Sequence, residues 1–225
     1  MLDDAHLALL PPRAVKEALQ ALTKADPHLA ELASASRGSP APTAVVTLTN
    51  PRGETAFQMV EVPVAGVSGR LFVGPLPGRA TKVASELDAL VAFGVTRVVG
   101  LLPAIDLPDL YRVPDYLDAV RSRFGAGFTL IDVVDYEAPP DDAVFEDAVA
   151  TTVQALAGGE RVYAHCGAGC GRAGVFAACV LVALGAEPLD AVRRYRAVRG
   201  CGPETAEQVA YVVRYAGRRR DGARG

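Results

Sequence analysis

Lysine, histidine and cysteine are scarce in this chain, and so is net charge. Of 23 basic residues only Lys16, Lys24 and Lys82 are lysine, and the formal net charge is −3. Without a basic excess there is no electrostatic footprint for nucleic acid. Four cysteines at irregular spacing make no disulfide framework and point to a reducing, cytoplasmic setting. No apolar run approaches the roughly 18 charge-free residues that a membrane span needs. The opening Met1-Leu2-Asp3-Asp4 lacks the basic stretch of a secretory signal. There is no internal repeat. The Lys-poor, Arg-, Ala-, Val- and Gly-rich composition is that of a GC-rich bacterial genome.

What is present is enough apolar sequence for a substantial core, since half of the 225 residues are hydrophobic. Val15, Leu19, Leu22, Leu29 and Leu32 recur at roughly helical spacing after Pro11-Pro12, with Pro27 dividing the pattern. Residues 1–42 therefore read as a helical extension ending in a Ser/Pro-rich linker, 43–217 as the main domain, and 218–225 as a solvated basic tail. Within the domain, 43–49 and 56–64 flank a turn and predict a β-hairpin. Strands near 71–73, 95–102, 128–134 and 161–165 then alternate with helices near 81–93, 114–124, 141–157, 172–184, 187–198 and 204–217. Alternation of this kind predicts an α/β fold, a central mostly parallel sheet with helices on both faces.

The segment that decides the reading is His165-Cys166-Gly167-Ala168-Gly169-Cys170-Gly171-Arg172. For this composition, a His-Cys pair with Arg six places after the cysteine arises by chance about 0.005 times. Only a thiolate is nucleophilic, and a helix N-terminus or a neighbouring cation lowers a thiol pKa into the range of about 3.5–7.5. Both are offered here. Residues 172–184 are apolar nearly all round and predict a buried helix whose first N–H groups face the thiol. Residues 160–165 predict a short strand leading into the loop. Gly167, Gly169 and Gly171 let consecutive amides converge on one anion, together with those of Ala168 and Cys170. Arg172 offers a planar fork for two phosphate oxygens. His165 is expected to face away from substrate, fix the loop through hydrogen bonds and favour the thiolate.

This loop resembles the signature of the cysteine-dependent protein tyrosine phosphatases, more narrowly the dual-specificity type and its kinase-associated group. The resemblance runs from about Arg70 to Tyr215, through 70–78 at one end and 191–199, Glu204-Thr205 and Gln208 at the other. It implies an aspartate on a mobile loop some thirty residues before the nucleophile. Asp135, four residues before Pro139, fits best, with Asp132 and then Glu137 as alternatives. The implied mechanism is attack by Cys166 on phosphorus, Asp135 acting first as acid and then as base, and Gln208 on the approach of the hydrolytic water, with no cofactor or metal. The family usually has Ser or Thr after the arginine, where this chain has Ala173, which puts the second step in doubt. Cys170 either packs or traps oxidised Cys166 as a disulfide.

The expected substrate is a phosphorylated protein, on tyrosine or serine/threonine, because positions 167–171 hold none of the basic residues that inositol-phosphate enzymes often carry there. A small phosphate ester such as an inositol phosphate, and a phosphate-binding module without catalysis, are the alternatives. A rhodanese-like sulfurtransferase fits less well, given His165, Arg172 and the upstream acid. A zinc site at His165, Cys166 and Cys170 would need Cys201 as its fourth donor. No membrane partner is expected, and the oligomeric state is left open.

Overall fold

The computed structural model describes residues 44–49, 53–140 and 143–222. The helix and linker expected over 11–42, and the turn at 50–52, lie outside the described residues.

Six strands form one sheet in the order β1-β2-β3-β6-β4-β5: β1 Val45–Thr49, β2 Thr55–Val62, β3 Arg70–Gly74, β4 Arg97–Leu101, β5 Phe128–Ile131 and β6 Arg161–His165. The hairpin pairs antiparallel with itself and, through β2, with β3. The other pairings, β3 with β6, β6 with β4 and β4 with β5, are parallel. Seven α-helices are described: α1 Val83–Ala92, α2 Asp106–Asp109, α3 Tyr116–Phe124, α4 Ala143–Ala157, α5 Gly171–Ala183, α6 Pro188–Arg199 and α7 Ala206–Gly222.

Alternation along the buried strands splits the core into two layers. Leu71, Val73, Val99, Val162 and Ala164 face one layer, with Phe145, Val149, Phe176 and Tyr211. Phe72, Val98 and Tyr163 face the other, with Leu87, Leu90, Tyr116 and Val120. Each fully buried side chain of this size contributes about 1.5–3 kcal/mol. Helix α5 is buried from Gly171 to Leu181, as its all-round apolarity demands.

Several boundaries differ from expectation. β5 stops at Ile131 rather than continuing to 134, and the Val133 carbonyl is taken by Arg172 at 3.0 Å. The basic tail is, as far as Gly222, the end of α7. Its arginines find acids on neighbouring elements: Arg218 pairs with Glu146 at 2.8 Å and Arg220 with Glu187 at 3.0 Å. Short α2 was not foreseen. No described helix is long and apolar enough to cross a membrane.

Parallel register fixes where a site can form. Gly74 of β3, His165 of β6 and Gly100 of β4 stand side by side. The loops that leave the carboxyl ends of these strands therefore open onto one edge of the sheet, the position where α/β folds bind ligands.

Candidate active site

Residues 166–170 connect β6 to α5, and the outward side of this loop is braced at nearly every carbonyl. Gly167 O accepts from Leu76 N–H at 3.1 Å and from Arg79 Nη1 at 2.9 Å. Ala168 O accepts from Arg199 Nη2 at 2.8 Å, and Gly169 O from Arg199 Nε at 2.9 Å and Tyr195 Oη at 2.8 Å. In a trans peptide the N–H points opposite to the C=O, so carbonyls held outside turn amides inside. The Gly169 N–H accordingly reaches Cys166 Sγ at 3.3 Å.

The three glycines have different reasons to be glycine. Gly169 has φ +75°, and a Cβ there would lie 2.3 Å from the Gly74 carbonyl oxygen. Gly167 and Gly171 have no positive φ. A Cβ on Gly167 would meet the Tyr111 ring at 2.8 Å, and one on Gly171 the Glu204 carboxylate at 2.5 Å.

Cys166 is 3% exposed and lines a cavity of about 250 Å³. Around it stand Arg172, Asp135, Tyr111, Arg79 and Glu204, with Leu110 and Tyr136 at the mouth, each 62% exposed. Arg172 is buried. Its Nη1 donates to Val133 O, and its Nη2 to Tyr111 Oη at 2.9 Å and to Asp135 Oδ1 at 2.8 Å. Its Nε is buried without a partner, a donor left over for an anion. Burial opposes the guanidinium charge, but Cys166, Tyr111 and Asp135 outweigh it and hold the pKa above the ordinary range.

Of the three acid candidates only Asp135 lines the cavity; Asp132 and Glu137 are exposed and do not. The loop that carries Asp135 is tied down rather than free. Beyond the Val133 bond to Arg172, Tyr136 O accepts from Thr205 Oγ1 at 3.4 Å. Glu137 O accepts from Gln208 Nε2 at 3.0 Å, and Pro140 O from Tyr211 Oη at 3.3 Å. Gln208 is thus a clasp and not an exposed helix residue: it is fully buried, and its Oε1 accepts the Glu204 N–H at 2.7 Å.

His165 ends β6 and does not line the cavity. It is fully buried, stacked on Tyr163 and bonded through Nε2 to the Tyr116 hydroxyl, while Nδ1 lies 3.3 Å from the Cys166 carbonyl. A carbonyl only accepts, so Nδ1 carries the proton and Nε2 receives the tyrosine O–H. Burial lowers its pKa to about 3. The neutral ring orients the loop but brings no positive charge to the thiol.

The cysteines require a correction. Cys170 is joined to Cys201 in a disulfide, with Cα atoms 5.4 Å apart, and the free thiols are Cys166 and Cys179. Cys170 begins α5 and Cys201 follows α6, so the turn at 200–204 packs on the loop; a Cβ on Gly202 would lie 2.1 Å from Cys170 O. With its sulfur engaged, Cys170 does not resolve oxidised Cys166 in this state, and two donors of the zinc alternative are bonded to each other. Among the described residues no group of three His, Cys, Asp or Glu could hold a metal ion.

Glu204, Tyr111 and Arg79 were not singled out as site residues. Glu204 was visible only as part of a closing-helix pattern. Burial, then Asp135, raises its pKa, while the Gly171 N–H and Arg172 act against the rise. Tyr111 and Arg79 come from loops whose sequences carry no site pattern.

Residues 75–213 match the family described as Swiss Army Knife protein, DSP-PTPase phosphatase domain. Among solved structures, kinase associated phosphatase with its catalytic cysteine changed to serine aligns at 22% identity over 73% of this chain and 97% of that one, with a TM-score of 0.66. Tk-PTP in its active form aligns at 24% identity over 71% and 97%, with a TM-score of 0.53. PTPMT1 aligns at 18% identity over 68% and 94%, with a TM-score of 0.52. No curated protein matches the sequence significantly.

Proposed function

The chain belongs to the DSP-PTPase phosphatases, cysteine-based enzymes of the dual-specificity type, and from that premise we propose that it removes phosphate from phosphotyrosine or phosphoserine/threonine in proteins, with Cys166 as nucleophile. The observation that carries the assignment of residues is the cradle itself: a buried thiol under inward-turned amides, beside an arginine with an unpartnered Nε.

Cys166 Sγ forms a bond to phosphorus as the ester P–O bond breaks, and Arg172 with the loop amides holds the equatorial oxygens. Phosphate oxygens on Arg172 compete with Asp135 for Nη2, freeing the carboxylate, which takes up a proton from solvent and gives it to the leaving oxygen as the P–O bond breaks. Water then attacks phosphorus, the S–P bond breaks with Cys166 leaving as thiolate, and the Asp135 carboxylate takes a proton from the attacking water. His165 fixes the loop, and Gln208 with Thr205 fixes the acid loop. Gln208 has both amide ends engaged, so we assign it positioning and not water delivery. No metal enters either step.

The exposed Leu110 and Tyr136 at the mouth favour a substrate with apolar surface, such as a protein chain, over a small free phosphate ester. We place the catalytic domain at 43–217, preceded by an extension over 1–42, in a bacterial cytoplasm on the strength of composition. The Cys170–Cys201 pair would stand reduced in that setting.

Assay of purified protein on an aryl phosphate, with and without chelator, tests the proposal. Hydrolysis should be unaffected by chelator and abolished in Cys166→Ser, because a serine hydroxyl is too weak an acid to replace the thiolate. Activity retained in that variant, or lost to chelator, overturns it.

A further inference from the structure

We propose that Arg79 reads a second negative charge on the substrate, the carboxylate of an acidic residue next to the phosphorylated one in a peptide segment. The proposal rests on the phosphatase reading and names what flanks the phosphate.

Arg79 leaves the loop after β3 and is exposed, yet its position is fixed. Its Nη1 donates to Gly167 O at 2.9 Å and its guanidinium lies 5.8 Å from the Tyr111 ring centre. It lines the catalytic cavity and also a second, adjoining cavity of about 400 Å³, walled by Phe57, Leu76, Thr55, Gln58 and Thr81. Among the described residues no other lines both. A chain seated with its phosphate over Cys166 and continuing into the second cavity therefore passes Arg79.

Charge around the catalytic cavity is laid out unevenly. Asp135 and Glu204 act on each other, and Glu204 stands at the Gly171 end of the cradle. Arg79 stands at the Gly167 end. Arg172 is engaged by Val133, Tyr111 and Asp135. A second anionic group on the substrate is thus repelled from one end and attracted to the other. Glu86 also lines the second cavity, but it is 1% exposed and its carboxylate is turned onto the N–H groups of Gly78 and Thr81 and the Thr81 hydroxyl. Among the described residues that line the two cavities, Arg79 and Arg172 are the cations, and Arg172 is already paired with Asp135, so the site suits one extra carboxylate. A polyphosphorylated small molecule would bring several charges up against Asp135 and Glu204.

The test uses two phosphotyrosine peptides that differ only in a Glu or Gln beside the phosphotyrosine, with an aryl phosphate and an inositol bisphosphate as further substrates. The readout is the ratio of kcat/KM for the Glu peptide over the Gln peptide, so a general loss of activity through the Gly167 bond cancels. For an exposed charge pair the wild type should favour the Glu peptide about two- to fivefold at low ionic strength, with the preference fading in salt. Arg79→Gln should bring the ratio to about one. Arg79→Lys should keep it above one, because the charge remains while the fork is lost. A wild-type ratio near one, or an unchanged ratio in Arg79→Gln, overturns the Arg79 assignment while aryl phosphate turnover leaves the phosphatase reading standing. An Arg79-dependent preference for the inositol bisphosphate over both peptides overturns the peptide in favour of a small polyanion. No turnover of the aryl phosphate defeats the underlying reading itself.

Discussion

His165 carries no charge at neutral pH, because its ring is enclosed between Tyr163, Tyr116 and the Cys166 carbonyl, and burial holds its pKa near 3. The ordinary value is about 6.5. Below that pH the unfolded chain binds a proton that the folded chain refuses. Stability contributed by the neutral ring is therefore present above about pH 6.5 and declines as pH falls towards 3, by about 1.4 kcal/mol per unit at full effect. NMR of the His165 ring should show no titration between pH 7.5 and 5; a midpoint in that range would mean that the ring is charged and helps to hold the thiolate. Glu204 has the opposite sign. Burial and Asp135 raise its pKa, so its ionised form opposes folding once the pH exceeds the ordinary carboxylate range. Glu204→Gln should raise Tm at pH 7 and give a smaller gain at pH 4. At Asp135, replacement by alanine should slow hydrolysis of a poor leaving group by about 10²–10⁴-fold and flatten the basic limb of the pH profile, with a smaller loss for a very acidic leaving group. If Glu204→Gln shows that pattern and Asp135→Ala does not, the acid is Glu204.

Two elements meet around the nucleophile, the acid loop and the start of α7. Thr205, Gln208 and Tyr211 of this helix region bind carbonyls along 136–140. Gln208→Ala removes two part-buried hydrogen bonds, each worth about 0.5–1.5 kcal/mol. Tm should fall, and amide exchange over 132–140 should speed up while exchange in α5 changes little. The turn at 200–204 is also held without its disulfide, since Arg196 donates to the carbonyls of Gly202, at 3.2 Å, and Pro203. Cys201→Ser should therefore keep the aryl phosphate activity within a factor of a few. A collapse of activity would show that the covalent link, and not these bonds, sets the cradle.

Across the whole molecule, what the sequence made legible was whatever depends on local pattern. The strand-loop-helix unit from β6 to α5 follows from a short β-rich run, a glycine loop and an all-apolar helix, and the parallel part of the sheet, β3-β6-β4-β5, from the alternation of elements. What was hidden depends on tertiary approach. Glu204 lies 38 positions after Cys166 in sequence yet lines the same cavity, because the turn at 200–204 packs on Cys170. Cys170 and Cys201, 31 residues apart, meet for the same reason. The neutral state of His165 likewise depends on its burial among Tyr116 and Tyr163, which no local pattern shows. Asp135 came from the family resemblance and its spacing to Pro139, and it lines the cavity because its loop follows β5, which pairs parallel with β4. The central claim is that Cys166 carries the phosphoryl group between two steps. Ala173, fully buried in the first turn of α5, offers no hydroxyl to steady the departing thiolate, so the second step should be slow. Rapid quenching into acid during turnover of an aryl phosphate, followed by mass spectrometry of the Cys166 peptide, tests this directly. The account predicts one phosphoryl group on Cys166, formed in a burst equal to the enzyme concentration, absent in Cys166→Ser and reduced in Ala173→Ser. Steady product release with Cys166 unmodified at every time point would contradict it.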